Sequence, residues 1–226
     1  MDKYEVVRKI EEFAPLETQE EWDCSGWAVD ISGKSKNVNR ILFALTVTDK
    51  IIKQAREKKC DMIISHHPLF YVPLDWNDIN IYCAHTNLDK ADGGTTDTLI
   101  KELGYNKTES YEFVRIVRLE EPISLNELKE NLLRISPKLR YINNNDIQQI
   151  KSIGFCAGSG SEFINETNTD AFVTGDLKFH TALCAKQVVF DIGHFESEIF
   201  AVNLLKNLTK LNDTCGVIAN EKSPFI

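Results

Sequence analysis

Residues 41–48 read ILFALTVT, an unbroken apolar stretch of strand length. A strand that is apolar on both faces must be covered on both, and the usual cover is a layer of helices on each side of a parallel sheet. DMIIS (61–65), NIYCA (80–84), AFVTG (171–175) and VVFDI (188–192) have the same character. Helical patterns fall between these runs. Residues 4–13 place Val6, Val7, Ile10 and Phe13 on one face, Asp49 opens a helix to about residue 58, and a Gly93-Gly94 turn leads into a helix stopped by Gly104. This alternation predicts an α/β fold, a mostly parallel sheet with helices on its faces.

The pattern changes after Tyr105. FVRIVRL (113–119) alternates like a half-exposed strand, and SLNE (124–127) is a capping box opening a helix to about residue 135. LRYIN (139–143) and SIGFCA (152–157) read as strands, the second followed by a GSG turn. A smaller α+β lobe is therefore expected. The chain reads as one unit of two lobes, the first about 1–108 with 188–226 and the second about 109–187. A helix over 178–187, a long helix over 195–210 and a strand over 215–219 complete the expectation.

Charge and cysteine usage narrow the class. The formal net charge is 26 − 34 = −8, which argues against direct nucleic-acid binding. It leaves a nucleotide open, because a metal ion can supply local positive charge. No apolar run approaches the roughly 18 residues of a membrane helix, and MDKYEVVRKIEEF lacks the apolar core of a secretory signal. The six cysteines contain no CxxC pair, and the flanks IYCAH, GFCAG and ALCAK suit buried reduced thiols. A cytoplasmic protein without membrane association is expected.

The chain has five histidines: His66, His67, His85, His180 and His194. Each follows an expected strand or opens an expected helix, where α/β sheets bind ligands. SHHPLF (65–70) ends a strand, so an extended backbone would point His66 and His67 to opposite sides and serve two neighbouring ions, one each. HTNLDKADGG (85–94) sets Asp89 four residues from His85, although a helix cap would explain Asp89 equally well. In GHFESE (193–198), His194 and Glu198 stand at i and i+4 on one helical face, which suits either a helix-face hydrogen bond or ligation. TGDLKFH (174–180) adds Asp176, Lys178 and His180, with capping the simpler role for Asp176.

Together, His66, His67, Asp89, His194 and Glu198 make a ligand set without thiolate. It suits two divalent ions (zinc, iron, manganese or cobalt) better than one, with open positions for water. Five ligands give each of two ions three only if one is shared. A carboxylate can be shared and an imidazole cannot, so Glu198, the longer of the two acids, is the expected bridge.

These stretches, with WDCSGW and ALTVTDKII, resemble in order the Nif-three-like dinuclear-metal family, whose bacterial members are commonly called GTP cyclohydrolase I type 2 homologues. The resemblance covers nearly the whole chain and places the family's metal ligands on the same five residues. It implies an α/β fold and a ring-like homohexamer with sites facing an interior cavity. Cys24, Trp27 and Thr46 stand where asparagine, leucine and aspartate are frequent in the family. The resemblance also implies a metal-dependent hydrolase acting on a nucleotide-like small molecule. Placement near the ligand set, rather than the resemblance, makes His85, Asp176, Lys178 and His180 candidates for proton transfer or phosphate contact. The alternative is a non-catalytic metal-binding or regulatory ring protein.

Overall fold

The computed structural model describes residues 1–31, 36–212 and 215–225. The chain divides into two compact units, Met1–Gly94 with Ala201–Lys222 and Thr95–Phe200 with Ser223–Ile226.

The first unit is built on a five-stranded sheet. Its order is β1 (Gly26–Val29), β4 (Asn80–Cys83), β3 (Met62–Ser65), β2 (Ile41–Ala44) and β11 (Gly216–Ile218). Strands β4, β3, β2 and β11 run parallel, and β1 pairs antiparallel at the edge. Every residue of β2, β3 and β4 is buried, as two-sided cover requires. Ser65 lies opposite both Ala44 and Cys83, so the three strands end level and release their following residues at one edge. Helices α1 (Lys3–Phe13), α2 (Asp49–Glu57), α3 (Thr86–Lys90) and most of α8 (Phe200–Thr209) belong to this unit. Ile51, Ile52 and Ala55 of α2 pack with Leu42, Ala44, Ile63 and Ile81. Thr48 occupies the cap position of α2, and Asp49 is its first helical residue.

The second unit has a six-stranded sheet in the order β5 (Glu109–Tyr111), β6 (Val114–Ser124), β8 (Gln149–Ser159), β9 (Ala171–Gly175), β10 (Val188–Asp191), β7 (Arg140–Ile142). β8, β9 and β10 are parallel, while β5, β6 and β7 run antiparallel to their neighbours. Helices α4 (Thr95–Glu102), α5 (Leu125–Leu133), α6 (Phe179–Cys184) and α7 (His194–Glu198) complete the unit. Ser124 caps α5 by accepting from the Glu127 amide at 3.1 Å, a contact worth about 1 kcal/mol. Gly104 ends the helical turn after α4 at φ +83.

The expected architecture needs three corrections. Both sheets are mixed, where one mostly parallel sheet was expected. The edges β1 and β5 are short, and β5 is exposed throughout, so ladder pairing rather than an apolar pattern makes them strands. The division falls at 94 and 200 rather than near 108 and 187. Leu99 and Ile100 of α4 pack with Phe155 and Val173, and β10 pairs with β9 and β7, which carries both elements into the second unit. The long helix over 195–210 is two helices. The Ser197 hydroxyl donates to the His194 carbonyl at 2.7 Å, a back-bond that competes with the helical ladder at the break. Among the cysteines, Cys60, Cys83 and Cys156 are buried, whereas Cys184 is exposed near the open end of α6.

Candidate metal centre

In the first unit β3 and β4 end side by side, and the next residues carry the site. His66 Nδ1 lies 2.9 Å from the Ala84 carbonyl oxygen, which can only accept, so Nδ1 holds a proton and Nε2 of the neutral ring carries the lone pair. Nε2 faces Asp89 Oδ1 at 3.4 Å, with the His66 side chain fully buried and Asp89 at 16% exposure. That spacing is the edge of a tetrahedron around an ion with bonds of about 2.0–2.1 Å, roughly 3.4 Å. A carboxylate and an imidazole lone pair facing each other in a buried position are complementary to a cation.

His67 departs from expectation. Its ring lies 5.2 Å from that of His66 at 41°, and the two present ligand atoms within 4.8 Å of each other. The expected divergence required a continuing strand. Instead β3 stops at Ser65, whose hydroxyl donates to the His67 carbonyl at 3.0 Å and bends the chain. His67 Nδ1 is hydrogen-bonded to Thr46 Oγ1 at 2.6 Å.

His85 lies in the same cluster, its ring 5.2 Å from His66 and 5.9 Å from His67. His66, His85 and Asp89 each present one ligand atom, all within 4.8 Å of one another. His85 Nδ1 donates to Asp23 Oδ1 at 3.0 Å. Asp23 also accepts from Ser25 Oγ, the Thr86 amide and the Thr86 hydroxyl. Burial pushes its carboxyl up, but the hydrogen bonds from His85 and Thr86, the His85 charge and the bond from Ser25 outweigh it and hold the group well below the usual carboxylate range. Asp23 is not among the residues that the sequence marks as ligands or proton carriers: it follows Glu17, Glu20 and Glu21, so one more carboxylate there carries no signal beyond its place in the WDCSGW stretch.

The second unit holds a matching arrangement. His194 opens α7, with Nδ1 2.7 Å from Asp176 Oδ2 and Nε2 3.0 Å from Glu198 Oε2. Burial lowers the His194 pKa, but Glu198 and then Asp176 more than offset it, raising it to about 9. Glu198, at 5% side-chain exposure, lies against Gly158, where a Cβ would overlap Oε1. Gly158 has φ +70, and its amide donates to Ser197 Oγ at 2.9 Å. The GSG expected as a turn thus lies at the end of β8 and seats the Glu198 carboxylate. Asp176 does not cap α6, whose cap position is Lys178; it orients His194 instead.

His180 sits exposed on α6 with its ring against Phe179, and Lys178 is exposed beside it. Cys24 is exposed, and Trp27 on β1 packs edge-on against Tyr82 and Tyr4. A cavity of about 580 Å³ in the second unit is lined by Lys138, Arg140, Asp176, Asp191, His194 and Glu196, among others. Arg140 forms an ion pair with Asp191 across this wall.

Nitrogen and oxygen donors without thiolate fit a borderline first-row divalent ion. His66, His67, His85 and His194 each have Nδ1 held by another group, the arrangement that fixes a ligating tautomer.

The family model described as Duf34/NIF3 (NGG1p interacting factor 3) matches residues 1–224. A "GTP cyclohydrolase 1 type 2 homolog" of Clostridium perfringens is 33% identical, covering 86% of this chain and 86% of its own. The "NIF3-like protein 1" of Drosophila melanogaster is 30% identical over 98% of this chain and 87% of its own. Among solved structures, a Bacillus cereus protein related to NIF3 superposes with a TM-score of 0.86 at 19% identity, covering 100% of this chain and 99% of that one. No helix among the described residues is long and apolar enough to cross a membrane. With one family model spanning nearly its full length and curated relatives above 30% identity, the chain belongs to the DUF34/NIF3 family.

Proposed function

We propose that His66, His67, Asp89, His194 and Glu198 hold two divalent ions, with Glu198 shared, and that the protein is a metal-dependent hydrolase of a nucleotide-like substrate. The observation that carries this reading is the histidine–carboxylate pair found in each unit, His66 with Asp89 and His194 with Glu198, in which the ring's other nitrogen is already held. Pairs built this way hold the ring's orientation without an ion, and an incoming cation takes the place of any proton on the nitrogen that faces the carboxylate. Two such ions, when bound, supply an acidified water and charge stabilisation for an oxyanion.

The cavity beside His194 supports the substrate class. Its volume of about 580 Å³ falls in the range of small-molecule sites, and Lys138 and Arg140 on its wall suit phosphate oxygens. Asp176 both lines the cavity and fixes His194, so a substrate seated there reaches the ligand shell directly. The name of the curated bacterial relatives points to a cyclohydrolase-type addition of water to a purine ring. The protein is further proposed to act in the cytoplasm as a ring-shaped homohexamer.

The test is metal analysis of the gently purified protein, followed by a hydrolysis screen over guanine nucleotides and phosphoesters with the same ions restored. Two ions per chain and turnover abolished by a chelator are expected. Two ions without turnover on any nucleotide would favour the metal-binding or regulatory ring, and one ion or none would end the dinuclear reading.

A further inference from the structure

We infer that His85 is a further metal ligand, making with His66 and Asp89 a three-ligand site, and that Asp23 positions it. The inference rests on the metal reading above and extends it beyond the five residues named there. All three ligands come from the adjoining ends of β3 and β4 and from α3, so local register sets their spacing.

Three observations converge on His85. One ligand atom of each of His66, His85 and Asp89 lies within 4.8 Å of the others, a separation that closes onto one ion with small side-chain rotations. Asp23 accepts the hydrogen bond of His85 Nδ1–H at 3.0 Å, which leaves the lone pair of the neutral ring on Nε2. This carboxylate–histidine pair repeats Asp176 with His194 in the second unit. Asp23 is itself tied down: its side chain is fully buried and accepts from Ser25 and from both the amide and hydroxyl of Thr86. A carboxylate held so firmly beside an imidazole is the partner that fixes a ligating ring and raises its basicity.

The consequence separates six ligands from five. With five, the ion on His66 and Asp89 reaches three protein ligands only by sharing Glu198. With His85, it has three without Glu198, the number at which catalytic zinc sites keep one position open for water. That ion should therefore survive loss of the shared carboxylate.

The experiment is equilibrium dialysis of the full chain against zinc, with metal counted in wild type, Glu198→Ala, and Glu198→Ala combined with His85→Gln. Two, one and none per chain are expected at the same free zinc. Wild type with two and Glu198→Ala with none overturns the role of His85 and leaves the two-ion reading standing. One ion in both variants also overturns it, and none in wild type removes the reading on which it rests. A second measurement needs no variant. Diethyl pyrocarbonate should label His85 in the metal-free wild type, and saturating zinc should suppress that labelling at least tenfold; equal labelling with and without zinc overturns the inference.

Discussion

Gly175, the last residue of β9, and His194, the first of α7, meet backbone to backbone: a Cβ on Gly175 would lie 2.7 Å from the His194 amide nitrogen and 2.8 Å from its Cα. Neither atom belongs to a flexible side chain, so Gly175→Ala must push α7 away from the sheet. We expect a loss of about 1–3 kcal/mol, or about 2–4 °C in thermal midpoint per kcal/mol, with weaker zinc binding in titration calorimetry. An unchanged midpoint and unchanged affinity would count against this close packing as the device that places His194.

Asp176→Asn tests the orientation of His194 separately from the backbone. Asp176 has φ +51, a conformation asparagine tolerates, so the fold should persist. Loss of the carboxylate that accepts from Nδ1 should weaken metal binding about 10–100-fold. Competition with a chromogenic chelator measures this, and an affinity within twofold of wild type would deny Asp176 that role.

Asp23 gives a pH signature. Its folded carboxyl titrates below the usual range, so its stabilisation is present above the unfolded value of about 3.9 and is lost as pH falls towards the folded value. Asp23→Asn, which leaves His85 and Thr86 with a neutral partner, should cost about 1–3 kcal/mol at pH 7. The difference from wild type in urea unfolding should hold between pH 7 and 5 and shrink below about pH 4. A difference independent of pH would mean that the charge contributes nothing.

Metal removal should lower stability by mass action. At free zinc about 100 times its Kd, a bound ion adds about 2.7 kcal/mol, or about 5–10 °C for a chain of this size. Calorimetric scans with chelator and with zinc restored should differ by that amount. Superimposable scans would show that zinc does not bind the folded state preferentially.

Assembly is checked by mass. A closed ring requires several copies of a 25.7 kDa chain. Light scattering at micromolar concentration should give about six times that mass, and a monomer would remove the ring while leaving the candidate site intact.

The strands and the candidate metal-binding residue types were legible because both depend on short stretches of chain. Predominantly apolar runs at 41–44, 62–65, 80–83, 171–175 and 188–191 announce strands covered on both faces, and each is one. Five histidines gathered at strand ends and helix starts stand out because so few residue types can bind a metal. Edge strands such as β1 and β5 were not legible, since pairing with a neighbour makes them strands and their own side chains carry little signal.

The sequence by itself determined which residues could be ligands and which strand ends release them. The tertiary structure alone decided what holds each candidate side chain. His85 meets Asp23 across 62 positions, His194 meets Asp176 across 18, and His67 meets Thr46 across 21. It also decided that His66 and His67 lie side by side, because the turn at Ser65 overrides the alternation of an extended chain. A hydrogen-bond partner is chosen by which distant segment the packed sheets bring within about 3 Å, and no local pattern of residues encodes that approach.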